Sequence, residues 1–358
     1  MGVSVVVCNY NGEEHLPECL GALRTLRGAV EEVLLVDNAS TDASLELVAR
    51  DFPEVRVVAT GRNGGPCLAR NVGMREARGE LVLALDNDAI VAEDTLERLL
   101  AAREATGAVL VQPRSVFDGE PDRVHYDGGA LSYLGLIRLR NFYTPLAEAE
   151  GEGLVEVDCA ISMCLLVDRA RVLELGGYDE RYFILFEDSD LSYRLRSAGE
   201  RIVSVEDALV RHRAGTPGIS FREGPDYPGS RVFLHSRNRW VLLLKNHGLR
   251  ALVLSLPGLA LYELLGLAFA TVSGHPLAWL RGKAAALGSL QVSSKAVNSR
   301  LLTSSCTGTP SCSRRPRDRW ARATSLVPVK TSTAWPRATS PAASCAAYCS
   351  VPAAFAGG

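Results

Sequence analysis

The chain has 358 residues, of which 47% are hydrophobic and 22% charged, an ordinary balance for a globular protein with a sizeable core. Its net charge of −2 hides an asymmetry, because residues 289–358 carry nine Lys or Arg and only one acid. The nine cysteines form no CxxC pair and no Cys/His cluster with ligand spacing, which argues against a zinc site.

Strands and helices alternate along the first 112 residues. Helical spacing of apolar residues predicts helices that begin near Leu16, Thr41, Cys67 and Glu93. Short apolar runs predict five buried strands, at Val3–Cys8, Val33–Val36, Val55–Ala59, Leu81–Leu85 and Ala108–Gln112. This alternation predicts an α/β fold in which a mostly parallel sheet is covered by helices on both faces.

The chain after residue 112 is less regular. Residues 113–155 are rich in Gly, Asp, Tyr and Arg without clear periodicity, which predicts an irregular excursion with a β-ribbon and a loop. Order is then predicted to resume with two strands and three helices, at Val155–Asp158, Arg169–Leu175, Asp188–Ala198, Arg201–Val205 and Val232–Asn246.

Polar clusters follow four of the predicted strands, at Asn9–Asn11, Asp37-Asn38, Asn63 and Asp86–Asp88. Ligands of open α/β sheets bind beyond the carboxyl ends of the strands, so we expect these clusters to form one site. Asp37 is suited to bind a ribose or to accept from a base N–H, and equally to a capping or turn role.

Asp86-Asn87-Asp88 is the centre of the predicted site. Two carboxylates after a buried strand suit Mg²⁺ or Mn²⁺ held against a diphosphate, although an isolated triplet of this kind is also a common turn. The loop after the first strand lacks the three glycines of a dinucleotide fingerprint, and no GxxxxGK[ST] motif is present. These absences disfavour hydride-transfer and P-loop enzymes.

A second acidic cluster comprises Glu187, Asp188 and Asp190. Mutual repulsion should raise at least one of their pKa values and favour a proton-accepting role, whereas the alternative is a helix N-terminus decorated with acids. His212 follows a strand and is either structural or a further metal ligand.

These stretches resemble the family-2 glycosyltransferases of the GT-A (Rossmann-like) fold, especially bacterial rhamnosyltransferase-like enzymes. The resemblance covers about residues 3–245, in the family's order. It is carried by VVVCNYNG (5–12), LLVDNASTD (34–42), NGGPCLARNVGM (63–74), LALDNDAIV (83–91), LGGYDERYFILFEDSDLSYRLRSAG (175–199) and VRH (210–212).

The resemblance implies an inverting transfer of a sugar from a UDP- or dTDP-linked donor to a hydroxyl, with a bound Mg²⁺ or Mn²⁺. Asp88 and His212 would bind this metal. Asp188 would be the general base, with Glu187 and Asp190 as supporting acids. The resemblance implies nucleotide-binding roles for Tyr10, Asp37, Arg70 and Asp86.

The segment Leu249–Val272 is apolar enough to span a bilayer, but Arg250, Glu263 and Pro257 interrupt it. We expect residues 246–288 to form membrane-associated helices, with a helical hairpin broken at Pro257 as the soluble alternative. The enzyme would then act at the cytoplasmic face of the cell membrane on a glycan or polyprenyl-linked acceptor. The short N-terminal apolar run predicts no signal peptide.

Residues 289–358 are rich in Ser, Thr, Pro, Arg and Ala and lack any apolar period, which predicts a disordered basic tail. The sudden loss of acids suggests a frameshifted translation, whereas a genuine tail would suit nucleic acid or anionic lipid. For the catalytic domain at 1–245 we expect no nucleic-acid partner. A sugar nucleotidyltransferase and a non-catalytic glycan-binding protein remain alternative functions.

Overall fold

A computed structural model describes residues 2–149, 151, 153–213, 219 and 227–302, with side chains as far as residue 289. The described strands are β1 (Val3–Asn9), β2 (Val30–Asp37), β3 (Arg56–Ala59), β4 (Leu81–Asp86), β5 (Ala89–Val91), β6 (Leu110–Phe117), β7 (Val124–Tyr126), β8 (Gly129–Leu131), β9 (Ile137–Leu139), β10 (Leu154–Glu156), β11 (Cys164–Asp168) and β12 (Ile202–His212).

Ten of these strands form one sheet, whose central path runs β10-β12-β6-β11-β4-β1-β2-β3. Strands β3, β2, β1 and β4 pair in parallel, as do β6 and β12. Strand β11 lies antiparallel between β4 and β6. The predicted α/β fold is therefore confirmed, with a mixed sheet in which four of the described pairings are parallel and five antiparallel. The ribbon expected within 113–155 is the β8–β9 pair.

The described helices are α1 (Leu16–Leu23), α2 (Ser44–Asp51), α3 (Gly65–Glu76), α4 (Thr95–Thr106), α5 (Arg169–Glu174), α6 (Glu187–Ser197), α7 (Gly229–Asn246), α8 (Leu249–Val272) and α9 (Pro276–Leu302). They cover both faces of the sheet. One core joins Val5 and Val7 of β1 to helices α1, α2 and α4. The other joins Val6 and Cys8 of the same strand to α3, α5, α6 and α7. Alternation along a single buried strand thus supplies both cores.

The C-terminal helices differ from the sequence expectations in two places. Pro257 lies inside α8 without ending it, so the alternative of a hairpin broken at this proline is wrong. The boundary predicted at residue 288 lies inside α9, which continues to Leu302. Most of the predicted tail, residues 303–358, lies outside the described residues.

Candidate active site

The parallel register places the ends of β1, β2 and β4 side by side. Asn9 pairs with Asp37 across β1 and β2, and its neighbour Cys8 pairs with Asp86 across β1 and β4. The buried Asn9 amide donates to Asp37 Oδ1 at 3.0 Å and accepts from Asn87 Nδ2 at 2.9 Å. One side chain therefore ties three strand-end loops together, and the convergence expected from the sequence is present. Asn63 accepts from the Gly65 N–H at the start of α3.

The two residues expected to contact a nucleotide base lie in different environments. The Tyr10 side chain is exposed at the loop after β1. Asp37 is only 2% exposed, and its oxygens accept from Asn9, from the Ser40 N–H and from the Ser40 hydroxyl. Asp37 therefore holds the loop after β2 in shape, and a base would have to share its oxygens with these donors.

Three potential metal ligands meet beyond β4. The β5–β12 pairing sets His212 opposite Ala89, which brings the imidazole to the Asp86–Asp88 loop. Nε2 of His212 lies 3.3 Å from Oδ1 of Asp88, and one ligand atom from each of Asp86, Asp88 and His212 lies within 4.8 Å of the others. Two carboxylates and an imidazole form a reasonable ligand set for a divalent cation such as Mn²⁺ or Mg²⁺.

A second histidine supports this cluster. The His125 ring, buried on β7, stacks on His212 with centroids 5.0 Å apart and planes 11° apart, and it also contacts Phe117. This contact restricts the orientation of the His212 ring. The sequence offered no signal for His125, because it falls in the segment without periodicity.

Arg70 of α3 connects the metal-ligand cluster to the second acidic cluster. Its buried guanidinium donates from Nη2 to Asp86 Oδ1 at 2.6 Å and to the Ser162 carbonyl at 3.0 Å. Its Nη1 lies 3.7 Å from Glu187 Oε1. Arg70 therefore lies between the strand-end acids and the first turn of α6, with positive charge toward both.

Glu187 and Asp188 begin α6 on the side that faces the site. Burial raises the pKa of Glu187 to about 8, with a further contribution from Asp188 and an opposing one from Arg70. Burial also raises the pKa of Asp188, while Arg70 and a hydrogen bond from Ser162 lower it. The expectation that at least one pKa in this cluster is raised agrees with both directions, although burial is a larger cause than the mutual repulsion on which the expectation was based.

Ser162 and Tyr178 surround the Asp188 carboxylate and were not anticipated from the sequence. The Ser162 hydroxyl hydrogen-bonds to Asp188 Oδ1, and its oxygen lies 2.6 Å from the Tyr178 hydroxyl. If Tyr178 donates to Ser162, the Ser162 proton points at Asp188. This chain of hydroxyls fixes one carboxylate oxygen of Asp188 and orients the other.

Asp190, expected as a supporting acid, lies in a different cluster. It is fully buried and accepts from Arg194 at 2.8 Å, Lys245 at 2.9 Å, Asn246 at 2.9 Å and the Tyr182 hydroxyl at 3.3 Å. These partners belong to α6, α7 and the preceding turn. Asp190 therefore joins α6 to α7, and the structure does not bring it together with Asp188.

Comparisons with known proteins match the chain to glycosyltransferases. Residues 4–164 match the family model described as glycosyl transferase family 2. The chain is 28% identical over 271 residues to the N-acetylglucosaminyl-diphospho-decaprenol L-rhamnosyltransferase of Mycobacterium tuberculosis, covering 68% of this chain and 84% of that protein. It is 25% identical over 251 residues to the amylovoran biosynthesis glycosyltransferase AmsE of Erwinia amylovora, covering 68% and 87%.

A solved structure shares the fold. The structure of GalNAc-T7 with UDP, GalNAc and Mn²⁺ superposes with a TM-score of 0.54 at 20% identity, covering 68% of this chain. This chain spans about half of that structure, at 48% of its length. The likeness supports a common sheet architecture.

Proposed function

We propose that the chain is a metal-dependent, inverting glycosyltransferase of cell-surface polysaccharide synthesis, because residues 4–164 match the glycosyl transferase family 2 model and the similar proteins are glycosyltransferases. The donor is a UDP- or dTDP-linked sugar, and similarity to a rhamnosyltransferase favours dTDP-rhamnose. One observation carries the proposal: Arg70 bridges the cluster of Asp86, Asp88 and His212 to the buried acids at the start of α6. Donor and base are thereby held side by side.

The proposed chemistry requires one base and no covalent nucleophile. A divalent cation held by Asp86, Asp88 and His212 would neutralise charge on the diphosphate leaving group. Asp188 accepts the proton of the acceptor hydroxyl. The hydroxyl oxygen forms a bond to the anomeric carbon from the opposite side, while the bond from that carbon to the diphosphate oxygen breaks. Configuration inverts in this single displacement.

The surrounding residues position the reactants. Arg70 places its positive charge between Asp86 and Glu187, and this charge stabilises the two carboxyl groups. Tyr10 is exposed where a nucleotide base would stack, and Asp37 offers its shared oxygens to a base N–H. Burial raises the pKa of Glu187 to about 8, which favours its protonated form and lessens its repulsion of Asp188.

The acceptor is proposed to be a sugar on a polyprenyl diphosphate, because the mycobacterial relative is named for such a substrate. Consistent with a lipid-linked acceptor, α8 is long and apolar enough to cross a membrane, with a mean hydropathy of 1.8 over an 18-residue window. Only 11% of that window is buried. We propose that the enzyme works at the cytoplasmic face of the cell membrane.

Replacing Asp88 with Asn tests the donor site. Loss of one carboxylate should weaken cation binding, and with it nucleoside diphosphate binding, by about tenfold or more. Calorimetry of the full chain with UDP, dTDP and GDP, each with and without Mn²⁺, measures this effect. Asp207→Asn is the matched control, because Asp207 is exposed and pairs only with Arg98 among the described residues. Metal-independent binding, or equal binding by Asp88→Asn, would contradict the proposed site.

Replacing Asp188 with Asn tests the base. The substituted amide cannot accept the acceptor proton, so transfer should fall by about 10²-fold or more. Nucleotide binding should stay close to that of the unsubstituted protein, because Asp188 lies on the acceptor side. Transfer assays and calorimetry on the same preparation separate the two effects. Near-normal transfer by Asp188→Asn would show that another group is the base.

A further inference from the structure

Helix α8 carries far more apolar surface than it buries. A stripe of four residues faces the rest of the protein, namely Ser255, Leu259, Tyr262 and Ala270. The remainder of the helix exposes eight large apolar side chains: Leu249, Val253, Leu254, Leu256, Leu261, Leu264, Leu267 and Val272. Helix α9 adds Leu277, Leu280 and Leu287. We call these eleven residues the apolar face; contiguous patches of this kind mark interaction sites.

The acid of α8 is turned away from the apolar face. Glu263 Oε1 accepts from Arg239 Nη1 at 2.7 Å and from the Trp240 indole at 2.7 Å, both on α7. Its other oxygen, Oε2, lies 2.6 Å from Lys283 Nζ on α9. Arg239 is only 1% exposed, so this ion pair is largely desolvated on the cationic side. Glu263 therefore joins three helices, and both of its carboxylate oxygens face cationic partners.

The charge around the apolar face has one sign. Glu263 is the sole acid between residues 227 and 289, a stretch that contains seven Lys or Arg residues. Arg250 near the start of α8 and Arg281 on α9 are both exposed. An apolar surface flanked by exposed cations is complementary to a bilayer that contains anionic lipid.

We infer that α8 lies flat on an anionic bilayer as an interfacial helix and does not cross it. This inference rests on the proposed function in one respect, namely that the acceptor is carried on a lipid. A spanning α8 would pull Glu263 away from Arg239 and Lys283, leaving a buried guanidinium without its acid and placing a carboxylate in hydrocarbon. A flat α8 keeps the ion pairs and buries the leucines among acyl chains.

The flat orientation brings the bilayer close to the base. The Phe186 ring, directly before Glu187, contacts the His235 ring of α7 with centroids 5.0 Å apart. His235 in turn stacks near Tyr262 of α8 at 6.5 Å. One layer of side chains on α7 thus separates the membrane helix from the start of α6. An acceptor sugar on a lipid needs to rise only a short distance to reach Asp188.

The β8–β9 ribbon provides a second contact beside α8. Its turn carries Tyr133, which is exposed and lies against Gly258. A cavity of about 360 Å³ lies between them, lined by Tyr133, Leu254, Ser255, Pro257 and Gly258. Tyrosine at the edge of an apolar face is typical of the membrane–water interface.

Vesicle flotation of the full chain tests the apolar face. Vesicles of phosphatidylglycerol and phosphatidylcholine in equal amounts should bind the protein, and vesicles of phosphatidylcholine alone should bind it less. Leu264→Glu should weaken binding by about tenfold or more, because it places a charge where the exposed Leu264 would enter the acyl chains. Leu154→Glu is the control, since Leu154 is an exposed leucine on β10. Equal flotation of wild type and Leu264→Glu would overturn the inference.

Two further measurements separate a flat helix from a spanning one. Alkaline carbonate should release the protein from cell membranes; retention in the pellet would mean that α8 spans and would overturn the flat orientation. Glu263→Leu should lower Tm if the ion pairs hold α8 on the domain, and a rise in membrane retention without loss of Tm would likewise overturn it. Metal-dependent nucleotide binding by Leu264→Glu reports the proposed function separately, because Leu264 is not among the proposed metal-binding or nucleotide-binding residues.

Discussion

At the scale of single residues, the Asp188 carboxylate depends on a hydroxyl that arrives from another part of the chain. Ser162 lies just before β11, and its hydrogen bond to Asp188 favours the charged carboxylate. Burial acts in the opposite direction and raises the pKa of Asp188. The pKa of the proposed base therefore depends on burial, which raises it, and on Arg70 and Ser162, which lower it. Of these, the Ser162 hydrogen bond can be removed by a single small substitution.

Replacing Ser162 with Ala should shift the acid limb of the rate profile to higher pH. Without the hydrogen bond the pKa of Asp188 rises further, and because the base acts when deprotonated, activity is lost at a higher pH as pH falls. A hydrogen bond to a charged group is worth about 1.5–3 kcal/mol, so kcat/KM on the acid side should fall roughly tenfold. The measurement is kcat/KM against pH.

The control for this prediction is Ser197→Ala, which changes an exposed serine at the end of α6, the helix that carries Asp188. It should leave the profile in place. Tyr178→Phe should shift the acid limb of the pH profile in the same direction but by less than Ser162→Ala, because it removes only the hydrogen bond that orients the Ser162 hydroxyl. A profile for Ser162→Ala that falls uniformly at every pH would point to a structural role and against tuning of Asp188.

The sequence predicted the acids of the site but not their supports. Asp86, Asp88 and His212 lie at or just after the ends of strands with strong apolar patterns, and the antiparallel pairing of β5 with β12 brings His212 to the Asp86–Asp88 loop. His125 lies in the segment without periodicity and Ser162 lies between two predicted elements, and their contacts depend on side-chain packing between distant parts of the chain. Local sequence periodicity predicts which face of a helix or strand is buried. It does not predict which side chains from distant parts of the chain will be in contact.

At the scale of elements, α6 uses its two sides for different purposes. Residues two apart on a helix point about 200° from each other, so Asp188 and Asp190 cannot face the same site. Asp188 faces Ser162, whereas Asp190 faces Lys245 and Asn246 on α7. An acidic cluster in the sequence is thus divided by helical geometry into a proposed base and an interhelical tie.

Replacing Asp190 with Asn should destabilise the fold while leaving the base intact. The change leaves Lys245 and Arg194 facing a neutral amide in a buried cluster, which should lower the free energy of unfolding by about 3 kcal/mol. Urea unfolding measures the loss. The exposed pair of Asp207 and Arg98 is the comparison, and Asp207→Asn should change stability by less than about 1 kcal/mol. Equal effects of the two variants would contradict the role of Asp190 as a tie.

Elements with a strong apolar periodicity in the sequence were predicted, whereas β11, whose position depends on its partners in the sheet, was not. The first four predicted strands appear within three residues of their expected bounds, whereas β6 continues five residues beyond the predicted end and the short β5 was not predicted. Strand β11 was missed although Cys164–Val167 is apolar, because it follows an irregular segment and runs antiparallel between two parallel blocks. The apolar segment Leu249–Val272 coincides with α8, and the helix continues through Pro257 because it tolerates one lost backbone hydrogen bond.

At the scale of the whole molecule, the candidate site and the C-terminal helices are mutually dependent. All the proposed ligands and the base lie between residues 10 and 212, yet α7 packs on the same core as α3 and α6. Helix α9 then covers α7: the Ser236 hydroxyl donates to the Trp279 carbonyl at 2.9 Å, and Gly282 lies close to Ser236. The helices after residue 246 therefore stabilise a domain whose chemistry they do not supply.

Two truncations separate these contributions. A chain ending at Leu302 retains α7, α8 and α9, so we expect unchanged Tm and unchanged metal-dependent nucleotide binding, with residues 303–358 dispensable for both. A chain ending at Asn246 removes the partners of Arg239 and Ser236 and should unfold at lower temperature or aggregate, because it leaves a buried guanidinium unpaired. Differential scanning calorimetry with nucleotide titration measures both properties. If the chain ending at Asn246 is as stable as the full chain, α8 and α9 are membrane anchors alone; if the chain ending at Leu302 loses nucleotide binding, the residues beyond it belong to the working enzyme.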